Sequence, residues 1–503
     1  MSPPLTHAQL LEALARGVQV VLPNPRATRT LRAAFDDRQR SSGAAAWDAA
    51  PALSWADWTR SLWSGLVADG AELRLLLNPA QEHALWREVI EAANSESRLS
   101  TPDSLADFAR GAWQLASSFR AVSRLRSTAT TYDSRTFAKW AESFARLLAE
   151  QICLPPAQLE DALREHVRSG SLRLEGPVLL AGFSTFTPAQ TALLDDLRNS
   201  PVDLQVADLA TDPSAVLWRS HAVAPSPRDE LSLAAHWIRS LFYAPQASST
   251  PPRVAVLLPD PDDIRDELES VFREVFAPEL QPITADPSSA PWDFTAGRSL
   301  ASHPMVVDAL DLLRWTDRPL PLERISALLR SPFLGAELDP GAISRFDVRS
   351  LRRDCGVLPE LDLPAVARMT QTLSGRHPRI PVPWLEALAA TLRLSLKSSA
   401  VRSFADWAQH FRNALRSAGW PGSRSLTALE FETARAWDST LDLLSTLDFR
   451  ARRVSATQAL QHLERLARSA RVHIPGTAAP IQVMRPAEAE GTVFDAVVLL
   501  RAT

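Results

Sequence analysis

Lysine is nearly absent from this chain. Of the 54 basic residues in 503, only Lys139 and Lys397 are lysine and the rest are arginine. A coding bias toward arginine accounts for the pattern without any function, but no lysine lies near the N-terminal strand to reach a phosphate. Cysteine is as scarce. Cys153 and Cys355 lie far apart and build neither a disulfide framework nor a cysteine-rich metal site, which fits a reduced cytosol. No apolar run approaches the ~20 residues of a membrane span. Met1-Ser-Pro-Pro-Leu has no basic segment followed by an apolar one, so no secretory signal is evident. A cytoplasmic protein away from membranes is expected. The net charge of -4 excludes a global basic field, though not a basic surface confined to a channel. The ten histidines, among them His83, His166, His236 and His303, show no H-x-x-x-H spacing, and Ser184 lacks a G-x-S-x-G elbow.

What is present is ordinary globular material, 46% apolar and 22% charged. The length exceeds one core's usual size, so three or four packed subdomains are expected. Gly17 to Pro23 is a β-branched run ended by proline, a strand signal. Asn24-Pro-Arg-Ala-Thr follows as a loop, with Thr28 as the expected cap of a helix through Arg38. Gly176 to Phe183 returns to strand, and Thr187-Pro188 opens a helix as N-cap and first-turn proline. Val202 to Val206 is a short strand. Pro227 to Phe242 is helical with Leu231, Ala234, Ala235, Ile238 and Leu241 inward. Arg253 to Pro259 is the clearest strand, and Ile264 to Phe276 the helix after it. Strands alternating with helices imply a parallel sheet.

Two long stretches carry only helical spacing. From 54 to 169, Trp55, Trp58 and Trp63 share a face, and Leu85, Trp86, Val89 and Ile90 another. Phe108, Trp113, Leu115 and Phe119 are read as a third face, and all are expected to be core. From 286 to 477 the spacing predicts helices at 304–314, 322–329, 384–396, 404–418, 426–447 and 456–470. The sheet resumes at Ile481. The last run, Phe494 to Leu500, is nearly all apolar, as buried parallel strands are. Ala244 to Pro252 reads as a surface loop. The acidic groups Asp195-Asp196 and Asp260 with Asp262-Asp263 read as solvated charge, and Trp292 and Trp420 as buried more readily than as base-stacking residues.

Five stretches carry a resemblance. Val20-Val-Leu-Pro-Asn-Pro-Arg-Ala-Thr-Arg-Thr-Leu31 sits where superfamily-one helicases place the phosphate loop. Leu179-Leu-Ala-Gly-Phe-Ser-Thr-Phe-Thr-Pro-Ala-Gln-Thr-Ala-Leu-Leu194 sits where they place the acidic magnesium motif. Ser226-Pro-Arg-Asp-Glu230 with the following helix and strand resembles the entry to a second motor domain. Glu488, Gly491, Phe494, Asp495 and Val497 are similar to an E-x-x-G-x-x-F/W-D-x-V pattern. With Gly419 to Trp437, the order resembles bacterial repair proteins of the AddB/RexB type. The resemblance implies an α/β fold of two degenerate RecA-like parallel-sheet domains, each interrupted by a largely helical insertion. The first would be 1–53 with 170–215, interrupted by 54–169. The second would be 216–285 with 478–503, interrupted by 286–477.

The departures from that family matter most. A working phosphate loop needs G-x-x-x-x-G-K-[ST], with glycines for backbone approach and lysine for the β- and γ-phosphates. Here Asn24, Arg26, Thr28 and Arg29 stand in those positions, beside Pro23 and Pro25, with no glycine and no lysine. Proline removes backbone donors, and arginine is not equivalent to a buried lysine. Ala181, Gly182 and Phe183 replace the acidic pair. The family's PD-(D/E)XK nuclease domain would begin beyond residue 503, and two cysteines cannot hold an iron–sulfur cluster. No cofactor is therefore expected in this chain, with ATP and Mg²⁺ belonging to intact relatives or a partner.

The expected role is a helicase-like, ATPase-inactive scaffold that binds DNA beside a RecB/AddA-like helicase–nuclease subunit. Arg345, Arg349, Arg352, Arg353, Arg450, Arg452 and Arg453 are the candidate phosphate contacts, which position without reading bases. A solvated face on an arginine-rich protein is the plainer reading of those runs. A truncated fragment of an active nuclease and a helical interaction protein without DNA are the alternatives.

Overall fold

In a computed structural model the described residues are 4–93, 102–174, 176–209, 218–243, 251–281, 290–335, 340–353, 359–371, 382–395, 401–472 and 479–501. Cys355, Lys397 and 244–250 of the expected surface loop lie outside them. The chain divides into two compact units, 1–295 with 478–503, and 296–477.

The first unit is α/β. Its opening helix α1 (His7–Ala15) leads into β1 (Gln19–Leu22), α2 (Pro25–Ser41) and β2 (Ala52–Ser54). A helical run follows: α3 (Trp55–Ala68), α4 (Pro79–Ala93), α5 (Pro102–Ser118), α6 (Tyr132–Glu150) and α7 (Leu159–Ser169). Then come β3 (Val178–Ala181), α8 (Pro188–Arg198) and β4 (Leu204–Ala207). These four strands form one parallel sheet in the order β2-β1-β3-β4. Side chains alternate across it as a pleat requires. Val20, Leu22, Leu179 and Ala181 pack with Leu10, Leu14, Leu31 and Phe35 on one face. Val21, Val178 and Leu180 pack with Trp55, Trp58, Trp63, Leu163 and Leu193 on the other.

A second parallel sheet is built from β5 (Val254–Leu257), β6 (Trp292–Phe294), β7 (Ile481–Met484) and β8 (Ala496–Leu499), ordered β8-β5-β7-β6. Leu231 and Ile238 of α9 (Pro227–Tyr243) and Leu268 and Phe272 of α10 (Arg265–Phe276) cover one face. Strands 254–257 and 481–484 are thus adjacent, although more than two hundred residues separate them.

Several local expectations change. Asn24, not Thr28, caps α2: its Oδ1 accepts the Ala27 N–H at 2.9 Å, and Pro25 takes the first helical position. Thr187 does cap α8, in a capping box with Gln190. The short strands β2 and β6 escaped the sequence reading because three residues give no period. The final strand is half-exposed rather than buried, with Val497 at 53% and Leu499 at 55%. It lies at the sheet's edge, where only one face meets the core helices.

On α5, Trp113 is buried while Phe108 and Leu115 are exposed, as is Phe119 just past the helix's end. Residues 108, 115 and 119 share a stripe at helical spacing, but 113 lies roughly 140° away from 108, so the four were never one face. Trp113 instead meets the Trp86–Phe144 stack. Asp196 also differs from a solvated acid: it accepts from Arg164 Nε at 2.7 Å and from Arg168 Nη2 at 3.2 Å, tying α7 to α8.

The second unit is largely helical. Its helices include Pro304–Asp317, Leu322–Leu329, Pro340–Phe346, Leu363–Gln371, Pro383–Ser395, Phe404–Ser417, Ala428–Ser445 and Ala456–Ser469. Two-residue antiparallel pairs join 298–299 to 471–472 and 320–321 to 360–361. Phe404, Trp407, Trp437 and Leu444 are among its buried residues. Among the described residues no helix is long and apolar enough to cross a membrane.

Candidate functional site: the crevice of the first sheet

In an open parallel sheet, ligands bind beyond the carboxyl ends of the strands where the connections diverge. In the first sheet that point lies between β1 and β3. From β1 the chain runs through α2 to β2 on one side; from β3 it runs through α8 to β4 on the other. The loops Pro23-Asn24 and Gly182-Phe183-Ser184 flank the crevice.

The chain's own segment 485–495, the link between β7 and β8, fills it. Asn24 Nδ2 donates to the Glu490 carbonyl at 2.9 Å. Glu490 Oε1 accepts the Ser184 N–H at 2.5 Å and the Ser184 hydroxyl at 2.6 Å. Two glycines permit the approach. Gly182 and Gly491 have φ of +78° and +75°, a region that disfavours any residue with a Cβ. A Cβ on Gly182 would stand 2.9 Å from Gly491 Cα, and one on Gly491 would stand 3.2 Å from Ala27 Cβ and Pro23 Cγ.

The helix start itself has few donors to offer an anion. Pro25 has no N–H. The Ala27 N–H bonds to Asn24 Oδ1, and the Thr28 N–H faces the Asn24 carbonyl at 3.3 Å. Thr28 is buried with its hydroxyl donating to the same carbonyl at 3.1 Å, and Arg29 is exposed. Of the four expected phosphate-loop positions, Asn24 and Arg26 contact the inserted segment.

Arg26 is 8% exposed. Its Nη1 meets Met484 Sδ at 2.9 Å and the Glu488 carbonyl at 3.5 Å, and its guanidinium lies 5.1 Å from the Phe494 ring centre. Arg253 approaches the same ring at 5.6 Å. Burial, and secondly the charge of Arg253, pull the Arg26 pKa down to about 10. It stays a cation at neutral pH. Arg485 and Asp260 close the other end of the segment at 3.1 Å, and that bond raises the arginine's pKa. The Arg253 N–H donates to Asp495 Oδ2 at 2.7 Å.

Chemically, the crevice holds a carboxylate where a nucleotide's phosphates would need donors. Among the described residues no group of three or more His, Cys, Asp or Glu could hold a metal ion. The Ser184–Glu490 and Arg26–Phe494 contacts were not foreseen. The two loop glycines, Gly182 and Gly491, were the available signal.

The expected DNA contacts lie in the second unit. Arg345 is on helix Pro340–Phe346, and Arg349 and Arg352 on the π-helical turn Asp347–Arg352, followed by Arg353. All four are exposed, but Arg352 Nε is held by buried Asp347 at 3.3 Å. Arg450 ends a 3₁₀ turn and is half-buried, and Arg452 and Arg453 are exposed. Arg349, Arg353, Arg452 and Arg453 have no carboxylate partner among the described residues. Trp292 and Trp420 are built into the structure: the first is 8% exposed, and the second donates to the Met305 carbonyl at 3.0 Å.

One further chain of polar groups links Glu72, His166 and Ser171, at 3.0 and 2.9 Å. It resembles an acid–His–Ser relay only in outline. The Ser171 and Leu172 N–H groups both point at the His166 carbonyl, so no donors face a developing oxyanion, and the network serves as a helix cap. No protein-family model matches the sequence, and no curated protein matches it.

Proposed function

We propose that this chain is a helicase-like, ATPase-inactive scaffold that binds DNA, the counterpart of an AddB/RexB-type subunit, working beside a RecB/AddA-like helicase–nuclease. On this reading the two parallel sheets are degenerate RecA-like domains, and the helical run 54–169 and the unit 296–477 are their insertions. The observation that carries it is the Glu490–Gly491 segment seated between Asn24 and Ser184. A site that retained hydrolysis would need that space, backbone donors and a lysine; this one holds a carboxylate, two prolines and an arginine. The exposed arginines 349, 353, 452 and 453 support the DNA-binding half, because guanidinium groups with no carboxylate partner among the described residues are available to phosphates.

The test is a pair of measurements on the full chain. Phosphate release with ATP and forked DNA is expected to stay at background; DNA-stimulated turnover would overturn the inactive-cleft reading. Anisotropy titration with a labelled fork is expected to show weak binding that falls steeply with salt, about 0.7–0.9 in log–log slope per neutralised phosphate. R349A/R353A is expected to weaken it. No binding at low salt would favour a helical interaction protein instead.

A further inference from the structure

Outside the crevice, the exposed flank of α9 gathers aromatic rings and arginines. Leu233, Trp237 and Ser240 follow one another at helical spacing on one side of the helix, opposite the buried Leu231, Ala235 and Ile238, and Tyr243 stands roughly 60° further round at the helix's last residue. Trp218, 65% exposed in the segment before the helix, lies over Trp237 with ring centres 6.2 Å apart and planes 24° from parallel. Trp237 is in turn packed against the second sheet's core, so the pair is anchored from below and open above. Tyr243 is 76% exposed, with the Arg239 guanidinium 5.5 Å from its ring centre. Arg219 adjoins Trp218 in sequence and is exposed, as are His221 and His236. Neither Arg219 nor Arg239 has a carboxylate partner among the described residues. The acids of α9 are confined to its first turn, Asp229 and Glu230.

Exposed rings gathered in one patch, unlike single exposed side chains, mark a surface that binds something. Each ring group here has a cation at its side, Arg219 next to Trp218 and Arg239 against Tyr243, and the helix's acids lie in its first turn. That combination suits a chain of stackable bases joined by phosphates, whereas an apolar helix would gain nothing from the arginines. We propose that the Trp218–Trp237 pair is a stacking platform for single-stranded DNA: a base lies on Trp218, Arg219 neutralises the phosphate beside it, and the strand continues round the end of the helix to the separate Tyr243–Arg239 pair. This rests on the DNA-binding reading above for the ligand class, and adds a site in the α/β unit, apart from the arginine runs of 296–477.

The test is anisotropy titration of a labelled 15-nucleotide oligo(dT) with the full chain and the variants W218A, W218F, R239A and R349A/R353A. Trp218 lies outside the helix and is largely exposed, so W218A is expected to fold, as circular dichroism checks. W218A should bind roughly 5- to 100-fold more weakly, the effect of one lost stacked base, and W218F should recover most of it. R239A should reduce the salt slope by about 0.7. If W218A binds like the parent while R349A/R353A is impaired, the platform is refuted and the DNA-binding reading survives. If the parent chain binds no oligonucleotide, both fail. If the parent instead binds a proline-rich peptide and W218A abolishes that, the face is a peptide groove and the proposal falls.

Discussion

A single carboxylate oxygen, Oε1 of Glu490, takes both the backbone N–H and the hydroxyl of Ser184, joining the link between β7 and β8 to the loop after β3. Charged acceptors make the stronger hydrogen bonds, and removing this one leaves two donors to find water. We expect E490A to lose about 1–3 kcal/mol of stability, read from the urea midpoint, and to gain no ATP turnover, because the lysine and the free backbone donors are still lacking. Hydrolysis appearing in E490A would mean that the segment blocks an otherwise competent site.

Gly491 is tested separately, because its demand is conformational. At φ +75° with Ala27 and Pro23 both 3.2 Å from the place of a Cβ, a branched residue meets backbone strain and crowding together. G491V is expected to cost at least 2 kcal/mol. G65A is the control, since Gly65 lies within α3 and a Cβ there meets nothing within 4 Å; it should be neutral or stabilising. Equal stability of G491V and the parent would show that the segment does not need the close approach.

The two sides of α5 make opposite predictions. Trp113 is 1% exposed and packs on Trp86 and Phe144, whereas Phe108 is 77% exposed on the same helix. W113A should cost about 3–5 kcal/mol and F108A no more than about 0.5 kcal/mol, by chemical denaturation. A large loss in F108A would indicate that the exposed stripe is covered in solution.

Glu82 supplies a pH signature. It is 5% exposed on α4, and burial raises its pKa to about 7, against a smaller opposing pull from Arg110. A carboxyl whose folded pKa lies above its unfolded value binds its proton more tightly when folded. Its unfavourable contribution is absent below about pH 4.5, grows as pH rises toward 7, and is constant above that. E82Q is therefore expected to be more stable than the parent by roughly 3 kcal/mol at pH 8 and nearly equal at pH 4. Parallel stability curves for the two proteins between pH 4 and 8 would refute the buried-acid account.

Glu72 runs the other way. Its hydrogen bonds from Arg74, His166 and the Leu73 N–H outweigh a burial effect of opposite sign and lower its pKa to about 2. A depressed carboxyl stabilises the fold above its unfolded pKa and loses that contribution as pH falls from about 4.5 toward 2. E72Q should flatten the acid limb of the unfolding curve in that window; an unchanged acid limb would place the network's weight elsewhere.

Much of this protein was legible one element at a time. The run Gly17 to Pro23 held the strand Gln19–Leu22, Thr187-Pro188 capped a helix, and the apolar spacing in 286–477 marked six helices to within three residues of their ends while missing Pro340–Phe346 and Leu363–Gln371, because capping chemistry and side-chain period are local and short helices show little period. The same reasoning failed where a face rather than an element was at issue: Trp113 and Phe108 share a helix and differ only in which neighbour lies beside them. What the chain alone established about the crevice was negative, that no glycine or lysine stands at 23–30 to receive phosphate. That this space is filled, and by Glu490 and Gly491, was a matter for tertiary structure. Asn24 and Glu490 are 466 residues apart, and no local period records which loop of one sheet will lie in the crevice of another.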